Sequence, residues 1–539
     1  MTRWLRALSI ASLVAIVFGV MSMWSDEWVQ DDALIFYRYV TNLLQHGEIA
    51  FNPAGPPTYG VSSLGHLLVM LPWQLVAGDP TRVVMMSSLT IGAIGIALMV
   101  VIARRAASSR AAALAATTLL LVVLAGSHPI LTMHLVSGMD TMTSLTYLAA
   151  FTLVMIEIER GSSSRTVAIA GVLAGAATWV RPDLLVFTLG LPLALAVFPD
   201  RPHHRAQARR IFTIAIPMVI AAVLVSVAWL HSPLPLPFWA KAGRAYDPLV
   251  TTTMGEGLRD LEQFLWWARF PALSLIAVAI LGPRPAWRSS SPLVKGAIFT
   301  CAVFSGFYAL RVVLAMEYVG RFHYPSLPML LLIGVRLGEP AWRALDRRFA
   351  ERRRFIVTGI VAVLIASGVY VVTAAIRREA AGLAEERARQ VWGRADLPAL
   401  YHDLTAVQLA CLDVLSPFPD DLVIATTEVG ATGAMYPRKE IVDLAGLNER
   451  DWIREPFQVG RMLARHPDVV FVPTKDFPTI RAKILSSPEF IAQYDTIDGA
   501  LTHTDSATAL RRASPHYAAL RSLFPACSHP PGFAAPQTR

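Results

Sequence analysis

Up to Ile376 the chain alternates mainly apolar blocks of about 15 to 23 residues with short polar stretches, and beyond that point it turns polar. A helix rises about 1.5 Å per residue, so about 20 apolar residues cross a bilayer's hydrocarbon core of roughly 30 Å. The blocks predict spans near 5–24, 84–103, 111–126, 141–158, 166–181, 184–198, 211–231, 269–282, 295–314, 323–336 and 355–376, eleven in all. The first follows Arg3 and Arg6 as a signal peptide would. Its apolar run is too long and lacks a small-residue cleavage site before Trp24, so it is expected to stay as an anchor. The segment 64–78 is apolar but holds His66 and Pro72, and is expected at the interface as a re-entrant or surface helix.

Charge sets the expected orientation. Hydrophobic residues make up 54% of the chain and charged ones 16%, against about 25% charged in soluble domains. The net charge of +9 sits in short loops between apolar blocks, a pattern of topology rather than of a nucleic-acid face. With the N-terminus cytoplasmic and 64–78 not crossing, the inner segments hold 21 Lys and Arg and the longer outer segments 9. That bias obeys the positive-inside rule. Making 64–78 a span would put RRAASSR and the Arg-rich 199–210 stretch outside.

An odd number of spans leaves residues 377–539 outside the cytoplasm, behind a membrane domain of residues 1–376 with a first outer loop at 25–83. The tail combines an amphipathic helix from Glu379 to Val391 with β-rich runs, DLVIATT and DVVFVPT, bounded by Pro, Asp and Gly. A C-terminal extracytoplasmic α/β domain is expected. Three cysteines rule out a cysteine-type metal cluster; Cys301 lies in a span, and an external location permits a Cys411–Cys527 disulfide.

The outer loops carry the polar chemistry. In QDDALIFYRYVTNLLQHG a helical period puts Asp31, Arg38, Asn42 and Gln45 on one stripe, with Asp32 and Tyr39 beside it. Ala33, Phe36, Tyr37, Val40, Leu43 and Leu44 fill most of the opposite arc. Such a helix is expected to lie on the outer leaflet with its acids facing a cavity. One acid could take a proton from an acceptor hydroxyl, or the pair could simply stabilise a helix N-terminus. Three further places stand out: Arg181 and Asp183 in WVRPDLL, Lys241 and Arg244 in PLPLPFWAKAGR, and Arg311, Arg321 and His323 in RVVLAMEYVGRFHYPSLP. Each cation alone reads as an interface anchor, whereas together, outside and against the charge bias, they suit the phosphate of a lipid. No Walker-type phosphate loop is present.

DDALIFYRYVTNLLQHGEIAFNP with TYGVSSLGHLL, SGMDTMTSL, GVLAGAATWVRPDLL, PLPFWAKAG, GRFHYPSLP and IATTEVGATGAMYPRKEIVDLAGLN follow one another along the chain. In these islands the sequence resembles the GT-C superfamily of polyprenyl-phosphate-dependent membrane glycosyltransferases, and most of all the mycobacterial-type terminal arabinofuranosyltransferases. Asp140 stands where Glu is commoner, and Phe-Trp replaces the usual pair before Ala-Lys. The resemblance implies a polytopic α-helical fold in the bacterial inner (plasma) membrane. It also implies inversion at the sugar's anomeric carbon, with a catalytic base at Asp31 or Asp32 and lipid phosphate as leaving group. On that reading Arg181, Lys241 and Arg321 hold the donor phosphate, supported by Arg38, Asp140, Asp183, Arg244 and His323.

The implied partners are a polyprenyl-phosphate sugar donor, a glycan, lipid or protein acceptor and membrane lipid, with no nucleic acid. No cofactor is required; metal dependence varies across the superfamily, which leaves a divalent cation open, though no His and carboxylate cluster argues for one. Two other readings remain: a hexosyl- or mannosyltransferase of the same superfamily, and a transporter of lipid-linked sugar. Transporters place charges at the bilayer midplane and often show paired half-repeats, neither of which the sequence displays.

Overall fold

The computed structural model describes residues 2–25, 29–53, 55–161, 163–242, 254–312, 320–348, 415–450, 452, 457–473, 477–498 and 507–528. The predicted span at 355–376, the helix at Glu379 to Val391, Arg244 and Cys411 lie outside them, as does the side chain of Cys527.

The helices of the first part run in chain order as α1 (Thr2–Ser25), α2 (Asp31–His46), α3 (Leu64–Ala77), α4 (Pro80–Ala106), α5 (Arg110–Gly126) and α6 (His128–Val136). They continue as α7 (Thr141–Arg160), α8 (Ser164–Val180), α9 (Leu185–Val197), α10 (His204–Leu230) and α11 (Leu236–Lys241). The last are α12 (Met254–Ala268), α13 (Phe270–Leu281), α14 (Pro283–Ser289), α15 (Pro292–Arg311) and α16 (Leu327–Arg348). Ser63, Asp79, Ser109, Ser163 and Ser291 cap α3, α4, α5, α8 and α15 by accepting a backbone N–H, which accounts for where these helices begin.

Among the described residues, α4, α7, α10 and α15 are each long and apolar enough to cross a bilayer. Two further pairs qualify only when joined across a sharp bend, α5 with α6 at 81° and α12 with α13 at 71°. The expected outer loop at 127–140 thus contains a short helix that turns 81° from α5 and packs on α1 and α4. The helix expected at 64–78 forms as α3, with Pro72 inside it, and packs on α2 and α4.

The segments expected on opposite sides of a membrane gather at opposite ends of the bundle. At one end Asp32, Asp140, Arg181, Lys241 and Arg321 meet around one cavity. At the other, Arg160 donates to the Arg105 carbonyl, Ser108 to Glu339, and Arg336 to Glu159. A single helix, α7, joins the two: Asp140 precedes its first residue and Arg160 is its last.

The C-terminal part is a five-stranded sheet in the order β2-β1-β3-β5-β4, built from β1 (Val423–Thr426), β2 (Glu440–Asp443), β3 (Val469–Val472), β4 (Tyr494–Asp498) and β5 (Ala507–Arg511). The first three strands pair in parallel and β3-β5-β4 antiparallel. Parallel neighbours need crossovers, here supplied by α17 (Val429–Met435) and α18 (Val459–Ala464).

Between the two parts the contact is close. Gly430 and Gly433 of α17 lie against α2: a Cβ on Gly430 would overlap the Asp31 carbonyl, and one on Gly433 would come within 2.7 Å of Arg38 Cδ. Only glycine allows the two backbones to approach this far. One apolar core consequently runs through both parts, with Val40, Phe51 and Val61 joined to Ile424, Val429 and Ile441.

Candidate active site

The neighbouring acids of α2 part company. Asp31 is buried and turned to the C-terminal part, where its carboxylate accepts the backbone N–H of Gly430 at 3.0 Å and of Ala431 at 2.7 Å. Asp32 turns the other way and lines a cavity with about 810 Å³ of empty space, counting its open mouth. There its Oδ2 lies 3.4 Å from Arg321 Nη2. The helical period sets consecutive residues about 100° apart, enough to put one acid in a protein interface and the next in a pocket.

Arg181, Lys241 and Arg321 all line this cavity, as do Asp140 and Asp183. Their settings differ. Arg181 is held by Asp183 at 3.0 and 2.6 Å and by Tyr308 Oη at 2.8 Å, with Asp140 at 3.9 Å. Tyr308 in turn donates to Asp183 at 2.6 Å, closing a triangle that fixes the guanidinium. Asp140 accepts Ser62 Oγ at 2.7 Å. Burial works to raise its pKa, but Arg181, and after it the Ser62 hydrogen bond, hold it below the usual carboxylate range. Lys241 Nζ and the Arg321 guanidinium sit 5.3 and 4.9 Å from the Phe322 ring centre, an aromatic face that favours cations.

Two expected supporting residues lie elsewhere. Arg38 does not face the cavity: it is fully buried and donates to Phe51, Gly433, Tyr436 and Lys439 carbonyls and to Asn52 Oδ1. The polar stripe of α2 is therefore covered by protein at Asp31, Arg38 and Asn42, with Gln45 at its end left exposed, and the helix does not simply float on a leaflet. His323 is buried behind the cavity wall, 3.4 Å from Asp260 and stacked on Phe264.

The cavity also uses residues that sequence reasoning passed over: Gly60, Ser62, Phe238, Phe307, Tyr308 and Leu447. Tyr308 lies in an apolar span, where nothing local marks a hydroxyl with a partner 125 positions away. Leu447 comes from the C-terminal part, on the loop after β2. Asp443 shapes that loop by accepting from Ala445 N, Gly446 N and Asn448 N and from Asn448 Nδ2, at 2.9–3.0 Å. Asn448 accepts from Tyr39 Oη at 3.1 Å, and that same oxygen accepts the Gly60 N–H of the opposite wall.

Burial pushes the Asp443 carboxyl up to about 6 against the pull of its hydrogen bonds. It pushes Glu449 up to about 7, opposed by Arg465 and reinforced by Asp443. Acids with raised folded pKa values contribute stability that is complete below their unfolded pKa of about 4 and lost as pH rises through the folded value. Wild-type protein should melt at a lower temperature at pH 8 than at pH 5, and Glu449→Gln should show a shallower fall. Parallel curves for the two proteins would remove Glu449 from the pH response.

Among the described residues no three His, Cys, Asp or Glu side chains group as metal ligands would. No protein-family model and no curated protein matches the chain. Among solved structures it is similar to ArnT from Cupriavidus metallidurans bound to undecaprenyl phosphate, with a TM-score of 0.54 at 14% identity, over 95% of this chain and 99% of that one. ArnT in the apo state gives 0.53 at 13% identity, over 94% and 98%. At such low identity the likeness is one of architecture, and it extends through both parts: the chain has the fold of ArnT.

Proposed function

We propose that the protein is an inverting glycosyltransferase that moves a sugar from a polyprenyl phosphate to an acceptor hydroxyl on the extracytoplasmic face of a bacterial inner membrane. The observation that carries this reading is one cavity in which the Asp32 carboxylate faces Lys241, Arg321 and Arg181. The sequence resemblance points the same way, and so does a fold shared with a protein that has been seen with undecaprenyl phosphate bound. The resemblance further supports arabinofuranose as the sugar and a cell-envelope glycan as the acceptor.

In this mechanism the donor phosphate is drawn to Lys241 and Arg321, with Arg181 contributing from its fixed position. Charge-assisted hydrogen bonds to phosphate oxygens hold the leaving group where negative charge develops. Arg321 Nη2 lies 3.4 Å from Asp32 Oδ2, so a phosphate that binds the guanidinium competes with that contact and leaves the carboxylate available as a base. The acceptor oxygen then attacks the anomeric carbon from the side opposite the phosphate. Its proton passes to Asp32, the bond from anomeric carbon to phosphate oxygen breaks, and polyprenyl phosphate departs. The acceptor reaches the cavity past the loop carrying Leu447, at the C-terminal edge of parallel strands where open α/β sheets commonly take ligands.

The proposed topology has eleven crossings, made by α1, α4, α5, α7, α8, α9, α10, α13, α15, α16 and residues 355–376. The cavity and C-terminal part lie outside the cytoplasm. The decisive experiment offers purified protein in vesicles a panel of polyprenyl-phosphate pentoses and hexoses with an envelope-glycan acceptor. One donor is expected to be consumed with release of polyprenyl phosphate, only when the acceptor is on the cavity side. Movement of intact donor across the bilayer without cleavage would mark a transporter instead.

A further inference from the structure

At the end of the bundle away from the candidate active site lies a second cavity, with about 1250 Å³ of empty space counting its open mouth. Its wall is made by Val101, Arg104 and Arg105 at the end of α4, the turn 107–109, Arg110 and Ala113 of α5, and Arg160 of α7. Four arginines and, among the described residues, no carboxylate line it. Glu157 lies nearby, 3.4 Å from Arg105 and 3.5 Å from Arg160. Arg104 and Arg110 have no acidic partner among the described residues.

We infer that this cavity binds the headgroup of an anionic phospholipid in the leaflet opposite the one that feeds the active site. Depth is the first reason. The 20 residues of α7 separate Asp140 in one cavity from Arg160 in the other. At about 1.5 Å per residue that is about 30 Å, the thickness of the hydrocarbon core, so the arginines lie at the level of the second headgroup layer.

Preorganisation is the second reason. A positive-inside bias needs cations somewhere in a loop, but not a loop held in place. Here Ser108 N donates to Glu339 Oε2 at 2.9 Å, Ser108 Oγ bonds Glu339 Oε1, and Arg343 donates to both at 2.6 Å. Arg160 donates to the Arg105 carbonyl on the facing side. Both edges of the cavity are thereby tied by hydrogen bonds within the protein.

The third reason selects a lipid over a free anion. Val101 lines the cavity and is 40% exposed, and Ile94, seven residues earlier on the same face of α4, is 48% exposed. An acyl chain leaving the cavity meets this apolar strip directly, whereas inorganic phosphate gains nothing from it. Basic pockets between helices at headgroup depth are suited to such lipids.

The test uses delipidated full-length protein in detergent and compares phosphatidylglycerol with phosphatidylcholine of identical chains, by native mass spectrometry and thermal protection. Wild-type protein should retain phosphatidylglycerol at least tenfold better, and salt at 0.5 M should erode the preference by screening. The double variant Arg104→Gln, Arg110→Gln should lose several-fold in phosphatidylglycerol retention while phosphatidylcholine retention is unchanged. Each single variant should lose part of the preference, so that poor folding of the double variant does not decide the matter. Equal retention of the two lipids by wild-type protein, or an unaltered preference in the variants, overturns the inference. So does inorganic phosphate that protects as well as the lipid does, which would mark a free-anion site.

Discussion

Asp32→Asn should lower the turnover of sugar transfer by a factor on the order of 10² to 10⁴, the contribution typical of a positioned general base, while the protein remains folded. The amide preserves shape and volume, and the carboxylate's partner among the described residues is Arg321, at 3.4 Å across the cavity. Asp31→Asn should behave in the opposite way. Its two oxygens each accept a backbone N–H of α17, and an amide replaces one acceptor by a donor facing a donor. Leaving a buried N–H unmatched costs about 1–3 kcal/mol, so this variant should lose thermal stability and retain most of its turnover per folded molecule. Initial rates and melting temperatures of both variants decide the assignment. Loss of turnover in Asp31→Asn with near-normal turnover in Asp32→Asn would transfer the base to the other acid.

The contrast between these adjacent acids shows where sequence reasoning works and where it stops. Periodicity identifies residues that share a face, and α2 forms over the predicted stretch with Gly47 in the left-handed conformation ending it. It does not say what covers the face. The polar stripe containing Asp31, Arg38 and Asn42 suits a water-filled cavity as well as an interface rich in backbone carbonyls, and the structure has the latter. Arg181 and Asp183 were legible because Pro182 forces a turn between them, while Tyr308 completes their triangle from another helix. Short elements were the hardest. The β-rich runs around Val423 and Val469 form strands, yet EIVD, YDTID and ATALR hold too few apolar positions to be recognised before their neighbours are known. At nine residues, α6 is likewise too short to stand out as an element of its own.

Arg38→Met should separate the C-terminal part from the helix that bears Asp31 and Asp32. All five N–H groups of the buried guanidinium are used: Nε on Phe51, Nη1 on Gly433 and Tyr436, and Nη2 on Asn52 and Lys439, at 2.6–2.9 Å. Three of these acceptors belong to the C-terminal part, roughly 400 positions along the chain. Methionine fills a similar space but removes all five donors: Phe51 O, Asn52 Oδ1 and Tyr436 O keep the N–H groups of Asn42, Ile441 and Lys439, whereas the buried Gly433 and Lys439 carbonyls lose the donor they have here. Each unmatched group costs about 1–3 kcal/mol, and because such losses are not additive a combined destabilisation of about 3–5 kcal/mol is expected. Arg38→Lys should recover little of it, since one ammonium cannot reproduce a planar fork reaching five oxygens. Thermal unfolding and protease resistance of residues 415–528 measure the effect. Transfer should fall as well, because Leu447 and the Tyr39–Asn448 bond depend on the same docking. If Arg38→Lys melts with wild-type protein and keeps its protease resistance, the guanidinium does not hold the two parts together, and the docking must rest on the glycine-mediated packing of α17 against α2.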